Sequence, residues 1–452
     1  MTTNTEKENA KKIHFVTLGC EKNLVDSEVM MGIAQGEAYT IVENPEDADV
    51  VVVNTCGFID TAKAESVETI LTMAQLKETA NVKSVLVAGC MAQRYKDELM
   101  DEIPEIDGIV GTQDFIRITD LVEESLTGSR PRYFSADNPV YLYDEATPRV
   151  HTSGNISAYI KIAEGCNHAC TFCIIPTMRG KLRSRSIESI VTEAQGLVDQ
   201  GVKELILIAQ DTTDYGIDIY KERRLADLLR ALNEVEGQFW IRLHYAYPGF
   251  FTDEVITAIA ECDKVAKYID MPLQHSEDKI LKSMQRPGHQ AGVRKLVKKI
   301  RERVPNVALR TSIIVGFPGE TDEDFENLCN FVRDLEFDHI GVFTYSPEEG
   351  TPSAEFGEQV PEAVKERRHN ILMEVAREVA SARQARHVGE VLDVLIEKFD
   401  EEDEKIRVGR TQFDARDIDG LVFVANSDAN VGDMIKVRVT HAYDFDLSGE
   451  AV

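Results

Sequence analysis

The chain has 452 residues, 43% of them hydrophobic and 29% charged, the make-up of a soluble globular protein of about three domains. No run of 18 apolar residues occurs, which excludes a helical membrane span, and the polar stretch Met1 to Lys12 lacks a signal-peptide core and reads as a frayed arm. A formal net charge of −29 argues against a nucleic-acid binder with a basic footprint and favours a basic partner; a cytoplasmic location is expected, where clustered thiols serve as ligands more often than as disulfides.

The first domain shows a repeated pattern. Ile13-His14-Phe15-Val16-Thr17-Leu18-Gly19-Cys20, Val50-Val51-Val52-Val53-Asn54-Thr55-Cys56 and Ser84-Val85-Leu86-Val87-Ala88-Gly89-Cys90 each run from an apolar stretch to a cysteine, and a helical stretch follows each. The cysteines are 36 and 34 residues apart, the length of a strand–helix unit. Such alternation predicts a doubly wound parallel sheet. Ligands of these sheets sit beyond the carboxyl ends of the strands, where all three cysteines fall, so they are expected to converge. Two readings stand side by side: Cys20, Cys56 and Cys90 hold a metal centre, or they are structural or redox thiols.

Residues 129–153 change texture. Ser129-Arg130-Pro131-Arg132-Tyr133-Phe134, Asp137-Asn138-Pro139 and Thr147-Pro148-Arg149 predict an extended linker. From 154 to 345, strand and helix signals alternate again. Strands are expected at 157–163, 204–209, 239–245, 267–271, 307–315 and 338–344, with Ser186 capping a helix over 187–200. Six such units predict a partial TIM-type barrel, (β/α)6, whose chemistry belongs at the carboxyl ends of its strands. The loop there is Glu164-Gly165-Cys166-Asn167-His168-Ala169-Cys170-Thr171-Phe172-Cys173. Its C-x-x-x-C-x-x-C spacing lets three thiolates reach one centre. A structural zinc site asks for four ligands. Three cysteines without an obvious fourth point instead to a cubane iron–sulfur cluster with one open iron; zinc and unconnected core cysteines are the alternatives.

After the fifth barrel strand comes Gly316-Phe317-Pro318-Gly319, either a plain turn or a close backbone approach to a ligand. Thr321 with Asp324 reads as a helix cap. Arg179, Lys181, Arg183 and Arg185 form a solvated face or a counter-charge for an anion. Glu362 to His387 is a charged helical bridge. Beyond it, Val391 to Ile396, Ile406 to Arg410, Leu421 to Val424 and Met434 to Val439 predict a small antiparallel β-barrel. Between Val388 and Val452 there are 16 acidic and 7 basic residues. Cys262 and Cys329 lie in helical patterns and are expected in the core. His168 is expected to make local hydrogen bonds, while His244 and His275 end strands, where packing and ligand contact are both open.

The cysteine loop resembles that of the radical S-adenosylmethionine (SAM) superfamily, and the last module resembles a TRAM domain. Together the modules, from about Lys12 to the C-terminus, resemble a methylthiotransferase. The expected boundaries are 12–128 for the cysteine-bearing N-terminal domain, 129–153 for the linker, 154–383 for the radical SAM core and 388–452 for the TRAM-like barrel. Leu18 to Glu28, Gln210 to Gly216, Arg242 to Pro248 and Tyr268 to His275 are similar to one branch of the family, which adds methylthio to the β-carbon of an aspartate in small-subunit ribosomal protein twelve. The branch acting on isopentenylated adenosine of tRNA is the alternative; a non-enzymatic iron–sulfur scaffold is a third.

The resemblance implies two 4Fe-4S clusters, one SAM-cleaving on Cys166, Cys170 and Cys173 and one auxiliary on Cys20, Cys56 and Cys90. It implies SAM as both methyl donor and radical source, with Gly316, Gly319, Asp211, Gln274 and Arg183 as expected SAM contacts. The implied partners are the ribosomal protein, or the ribosomal subunit carrying it, and a low-potential electron donor such as flavodoxin or ferredoxin. No membrane is implied, and direct RNA binding is not favoured by so acidic a terminal barrel. The substrate loop is expected to enter between the N-terminal domain and the barrel mouth.

Overall fold

Val50–Thr55 and Ser84–Gly89 are buried at every position, as parallel strands covered on both faces must be. They are β3 and β4 of a six-stranded parallel sheet that also contains β1 (Lys12–Thr17), β2 (Thr40–Ile41), β5 (Gly108–Val110) and β6 (Arg132–Tyr133), in the order β2-β1-β3-β4-β5-β6. Alternate side chains feed two cores. Val50, Val52, Leu86 and Ala88 pack on helices Glu21–Gly36 and Ile118–Leu126. Val51, Val53, Val85 and Val87 pack on Asp60–Thr79 and Cys90–Tyr95. The sheet is therefore doubly wound, as predicted. The computed structural model describes residues 10–135, 141–154 and 156–452; the first nine residues of the expected arm and Asp137-Asn138-Pro139 of the expected linker lie outside the described residues. Arg132–Tyr133, inside that expected linker, pairs with Ile109 and Val110 as the sixth strand.

The central domain has six parallel strands: β7 (Ser157–Lys161), β10 (Glu204–Ile208), β11 (Trp240–Leu243), β12 (Tyr268–Asp270), β13 (Ala308–Val315) and β14 (His339–Thr344). A small antiparallel pair, β8 (Ala163–Glu164) and β9 (Arg183–Ser184), flanks the cysteine loop. The six form two ladders, β7-β10-β11 and β12-β13-β14, joined by a single bridge between Ile241 and Val265. Helices cover the outside. Ser186 caps Ile187–Asp199, and Thr321 with Asp324 forms a reciprocal capping box on Asp322–Leu335.

The concave face meets the N-terminal domain. Tyr159, Ile206 and Ile208 of the barrel share one core with Val25 and Val29 of helix Glu21–Gly36. That helix is buried on nearly all sides, including Lys22, Asn23, Asp26, Ser27 and Glu28. Two of its carboxylates are satisfied from outside the N-terminal domain. Asp26 pairs with Lys161 and Arg179, and Glu28 with Arg149 and the Thr152 backbone.

The C-terminal module is a closed barrel, β15-β16-β17-β19-β18, built from β15 (Val391–Phe399), β16 (Arg407–Thr411), β17 (Val422–Ala425), β18 (Met434–Ala442) and β19 (Leu447–Ala451). Closure departs from the expected antiparallel pattern at one seam, where β17 and β19 run parallel. The loop after β16 plugs the amino end of the central barrel. Arg410, fully buried, meets Glu204 at 2.6 Å, and Arg242 meets the same carboxylate at 2.7 Å. Asp414 and Asp419 face His339, and Asp419 also receives the Tyr268 hydroxyl at 2.7 Å. Among the described residues no helix is long and apolar enough to cross a membrane.

Candidate active site

β1, β3 and β4 are neighbours in the sheet, so their carboxyl ends lie side by side and bring Cys20, Cys56 and Cys90 together. Two glycines make the turns possible. Gly19 has φ of 87°, and a Cβ there would lie 2.8 Å from Cys56 Cβ. Gly89 has φ of 94°, and a Cβ there would lie 2.2 Å from Asn54 Oδ1. Both positions demand the left-handed region that glycine adopts without penalty. Cys20 then opens helix Glu21–Gly36 and Cys90 opens Cys90–Tyr95.

The second trio sits on the loop after β8. Cys166 N–H donates to Gly180 O (3.0 Å), Thr171 N–H to Met284 O (3.1 Å) and Cys173 N–H to Cys170 O (3.1 Å). Arg286 points a guanidinium nitrogen at Cys170 Sγ, 3.8 Å away. His168 does what local hydrogen bonding predicts: its Nε2 lies 2.6 Å from Asp211 Oδ2, and its ring stacks on Tyr247 at 4.3 Å.

All six of these cysteines line one cavity of about 1100 Å³ between the N-terminal domain and the barrel mouth. All eight cysteines of the chain are free thiols, and Cys262 and Cys329 are buried in the core as expected. Burial pushes the Cys90 and Cys173 thiols up to about 12 and Cys166 up to about 11; Arg179 pulls against the shift at Cys90, and the His168 backbone N–H against that at Cys166. A metal that takes these sulfurs must displace their protons, which ties loading to pH. Each trio offers three soft thiolate donors, a set that fits an iron–sulfur cluster with one iron free.

Arg179 lies beside the first trio, where its charge acts on Cys90, Cys20 and Cys56. It is 2% exposed, and it reaches Asn23 Oδ1 (2.6 Å), Asp26 (3.0 Å) and Glu164 (3.0 Å). Glu164 in turn is held well below the ordinary carboxylate range: burial opposes this, but Arg179 and Lys161 prevail. A second clamp closes the rim. Glu348, after β14, receives Lys63 (2.9 Å) and Arg94 (2.8 Å) from the N-terminal domain. Neither Glu348 nor Arg94 stands out by local pattern, because each acquires its partner only when the domains dock.

Of the expected SAM contacts, Gln274 lines the cavity, in a left-handed conformation with φ of 74°. Asp211, Arg183, Gly316 and Gly319 do not line it. Asp211 acts one layer back, on His168. Arg183 donates to the backbone carbonyls of Lys181 and Arg179. Gly316 packs under Lys365, where a Cβ would meet Cγ at 2.4 Å, and its N–H donates to Glu320. His275 bonds to the same Glu320, and His244 is buried among aromatic rings and pushed down to about 4 by that burial. Neither histidine lines the cavity.

Comparison with known proteins follows the same division. Residues 12–111 match the uncharacterized protein family UPF0004, 160–332 the radical SAM superfamily and 388–452 the TRAM domain. The ribosomal protein uS12 methylthiotransferase RimO of Desulforamulus reducens is 45% identical over 97% of this chain and 99% of its own. That of Symbiobacterium thermophilum is 49% identical over 97% and 91%. Among solved structures, the radical S-adenosylmethionine methyltransferase TsrM from Kitasatospora setae, with cobalamin and a [4Fe-4S] cluster bound, aligns with a TM-score of 0.55 at 14% identity, over 76% of this chain and 74% of that one, a likeness of fold. With near-complete coverage at close to half identity, the chain belongs to the ribosomal protein uS12 methylthiotransferase RimO family.

Proposed function

We propose that this protein is a radical SAM methylthiotransferase acting on the β-carbon of an aspartate in ribosomal protein uS12, free or within the small subunit. One observation carries the reading: two separate cysteine trios line a single cavity at the seam of two domains. In this reading Cys166, Cys170 and Cys173 hold the SAM-binding 4Fe-4S cluster, and Cys20, Cys56 and Cys90 hold the auxiliary one. When bound, these groups supply reductive cleavage of SAM and a sulfur to be methylated and transferred, chemistry beyond any side chain.

The chain's own residues organise that chemistry. Arg179 balances negative charge at the first trio while Asp26 and Glu164 hold it in place. The clamp of Lys63 and Arg94 on Glu348 holds the two domains apposed beside the cavity. Gln274 and Arg286 face the second trio's side of the cavity, where SAM would sit; Arg286 also stacks over Tyr247 at 4.2 Å. Apposition of donor and acceptor sites across one cavity replaces a chance encounter between reactive species. A low-potential one-electron donor of the flavodoxin or ferredoxin type completes the system.

The test is anaerobic incubation of the reconstituted protein with SAM, a reductant and either uS12 or tRNA, read by mass spectrometry. Methylthio on the uS12 aspartate is expected. Its appearance on a tRNA nucleoside instead, with uS12 unchanged, overturns the reading.

A further inference from the structure

One ammonium group lines the cavity, that of Lys22. Lys22 lines the cavity and is 7% exposed, yet among the described residues it makes no hydrogen bond and no ion pair. The arginines of the cavity are both engaged: Arg179 by Asp26 and Glu164, Arg286 by the Pro272 carbonyl and the Cys170 sulfur. Lys22 instead rests on the Tyr245 ring, 3.1 Å from its centroid. The ring is itself fixed. Tyr245 takes a left-handed backbone with φ of 59°, donates its hydroxyl to Glu21 at 2.9 Å and donates its N–H to Asp270 at 3.1 Å. Glu21, the carboxylate next in sequence to Lys22, is thereby turned to the tyrosine.

A buried cation stacked on an aromatic face, with no carboxylate at ion-pair distance although Glu21 and Asp270 lie near, is an arrangement that an incoming anion completes. Two carboxylates belong to the proposed reaction, those of SAM and of the aspartyl substrate. Lys22 follows directly on Cys20 and Glu21, on the N-terminal domain's side of the cavity, away from the Cys166 loop where SAM would sit. Resting on the uS12 reading, we propose that Lys22 receives the side-chain carboxylate of the substrate aspartate and so sets its β-carbon beside the first trio. The residue then distinguishes aspartate from its uncharged isostere, asparagine.

The probes are two fluorescein-labelled peptides from the uS12 loop, one with the aspartate and one with asparagine, bound to the reconstituted full-length protein in the presence of SAM. A charge-assisted hydrogen bond corresponds to a preference of roughly 10- to 100-fold for the aspartyl peptide in the wild type. Lys22→Met and Lys22→Gln are expected to bring that ratio close to one, and Lys22→Arg to keep most of it, with iron content and melting temperature checked for each. If Lys22→Met retains the wild-type ratio, or weakens both peptides equally as loss of a mere counter-charge would, the assignment is overturned while methylthiolation of the aspartyl peptide leaves the uS12 reading standing. If the wild type methylthiolates tRNA and neither peptide, the reading beneath it has failed and the Lys22 assignment falls with it.

Discussion

Gly89 is where a single Cβ decides the fate of a ligand. A methyl group there would press within 2.2 Å of Asn54 Oδ1 and 2.7 Å of the Thr55 carbonyl, at a φ of 94° that alanine avoids. Gly89→Ala is expected to destabilise the N-terminal domain by more than about 1 kcal/mol and to displace Cys90. Denaturant unfolding checks the first effect, and iron per chain after reconstitution the second. Replacing Cys20, Cys56 and Cys90 together by alanine gives the complementary result. Bound iron should fall by half while SAM is still cleaved to 5′-deoxyadenosine; a variant that loses all its iron would sink the two-centre assignment. At this scale the sequence was clear about the cysteines, because their spacing follows the strands. It named Arg179 only within a basic run that could be a solvated face, and it was silent about Lys22 and Glu348, whose surroundings lie in another domain.

The loop after β16 is the element that ties the terminal barrel to the catalytic one. Glu204, Arg242 and Arg410 are fully buried in contact with each other. Glu204→Ala would leave two buried guanidinium groups without their shared carboxylate, a change expected to cost about 3–5 kcal/mol by denaturant unfolding. His339, at the start of β14 and packed against that plug, faces Asp414, Asp419 and Asp338, with Tyr268 and Arg310 nearby. Burial alone would lower its pKa, but Asp419 and Asp414 outweigh burial and raise it above 6.5. A raised folded pKa stabilises fully below the unfolded value of 6.5 and is lost as pH rises through the folded one. Stability should therefore decline from pH 6 to pH 8 by more in the wild type than in His339→Gln; equal slopes would rule out the histidine as the cause. The strands of both barrels were legible from periodicity, save Leu447–Ala451, whose Ser-Gly-Glu interior carries little apolar signal. That the β16 loop would plug another domain was not, since the loop reads as polar turn.

For the whole molecule, the seam between the N-terminal domain and the barrel is the working part. It is held by an apolar core around Val25, Val29, Ile206 and Ile208 and by ion pairs at the rim. Glu348→Ala removes the rim clamp without touching that core, leaving Lys63 and Arg94 without a carboxylate across the seam. The expected result is a lowered melting temperature, because buried Arg94 loses its carboxylate, together with looser apposition. It should be seen as more 5′-deoxyadenosine formed per methylthiolated product; an unchanged ratio would show that the apolar core suffices. The acidity of the chain, −29 overall, suits a basic protein substrate at this seam.

The sequence by itself determined the strand–helix alternation, the placement of each cysteine at a strand end and the capping box at Thr321, because these depend on neighbours within a few residues. Buried β-branched runs and cap side chains carry that information locally. Only the tertiary structure decided that the two trios face one cavity, that Arg179 is buried beside the first of them and that Lys22 has no ion-pair partner among the described residues. Those facts depend on docking residues more than a hundred positions apart, as with Asp26 and Lys161, and no local pattern encodes which buried charge will meet which.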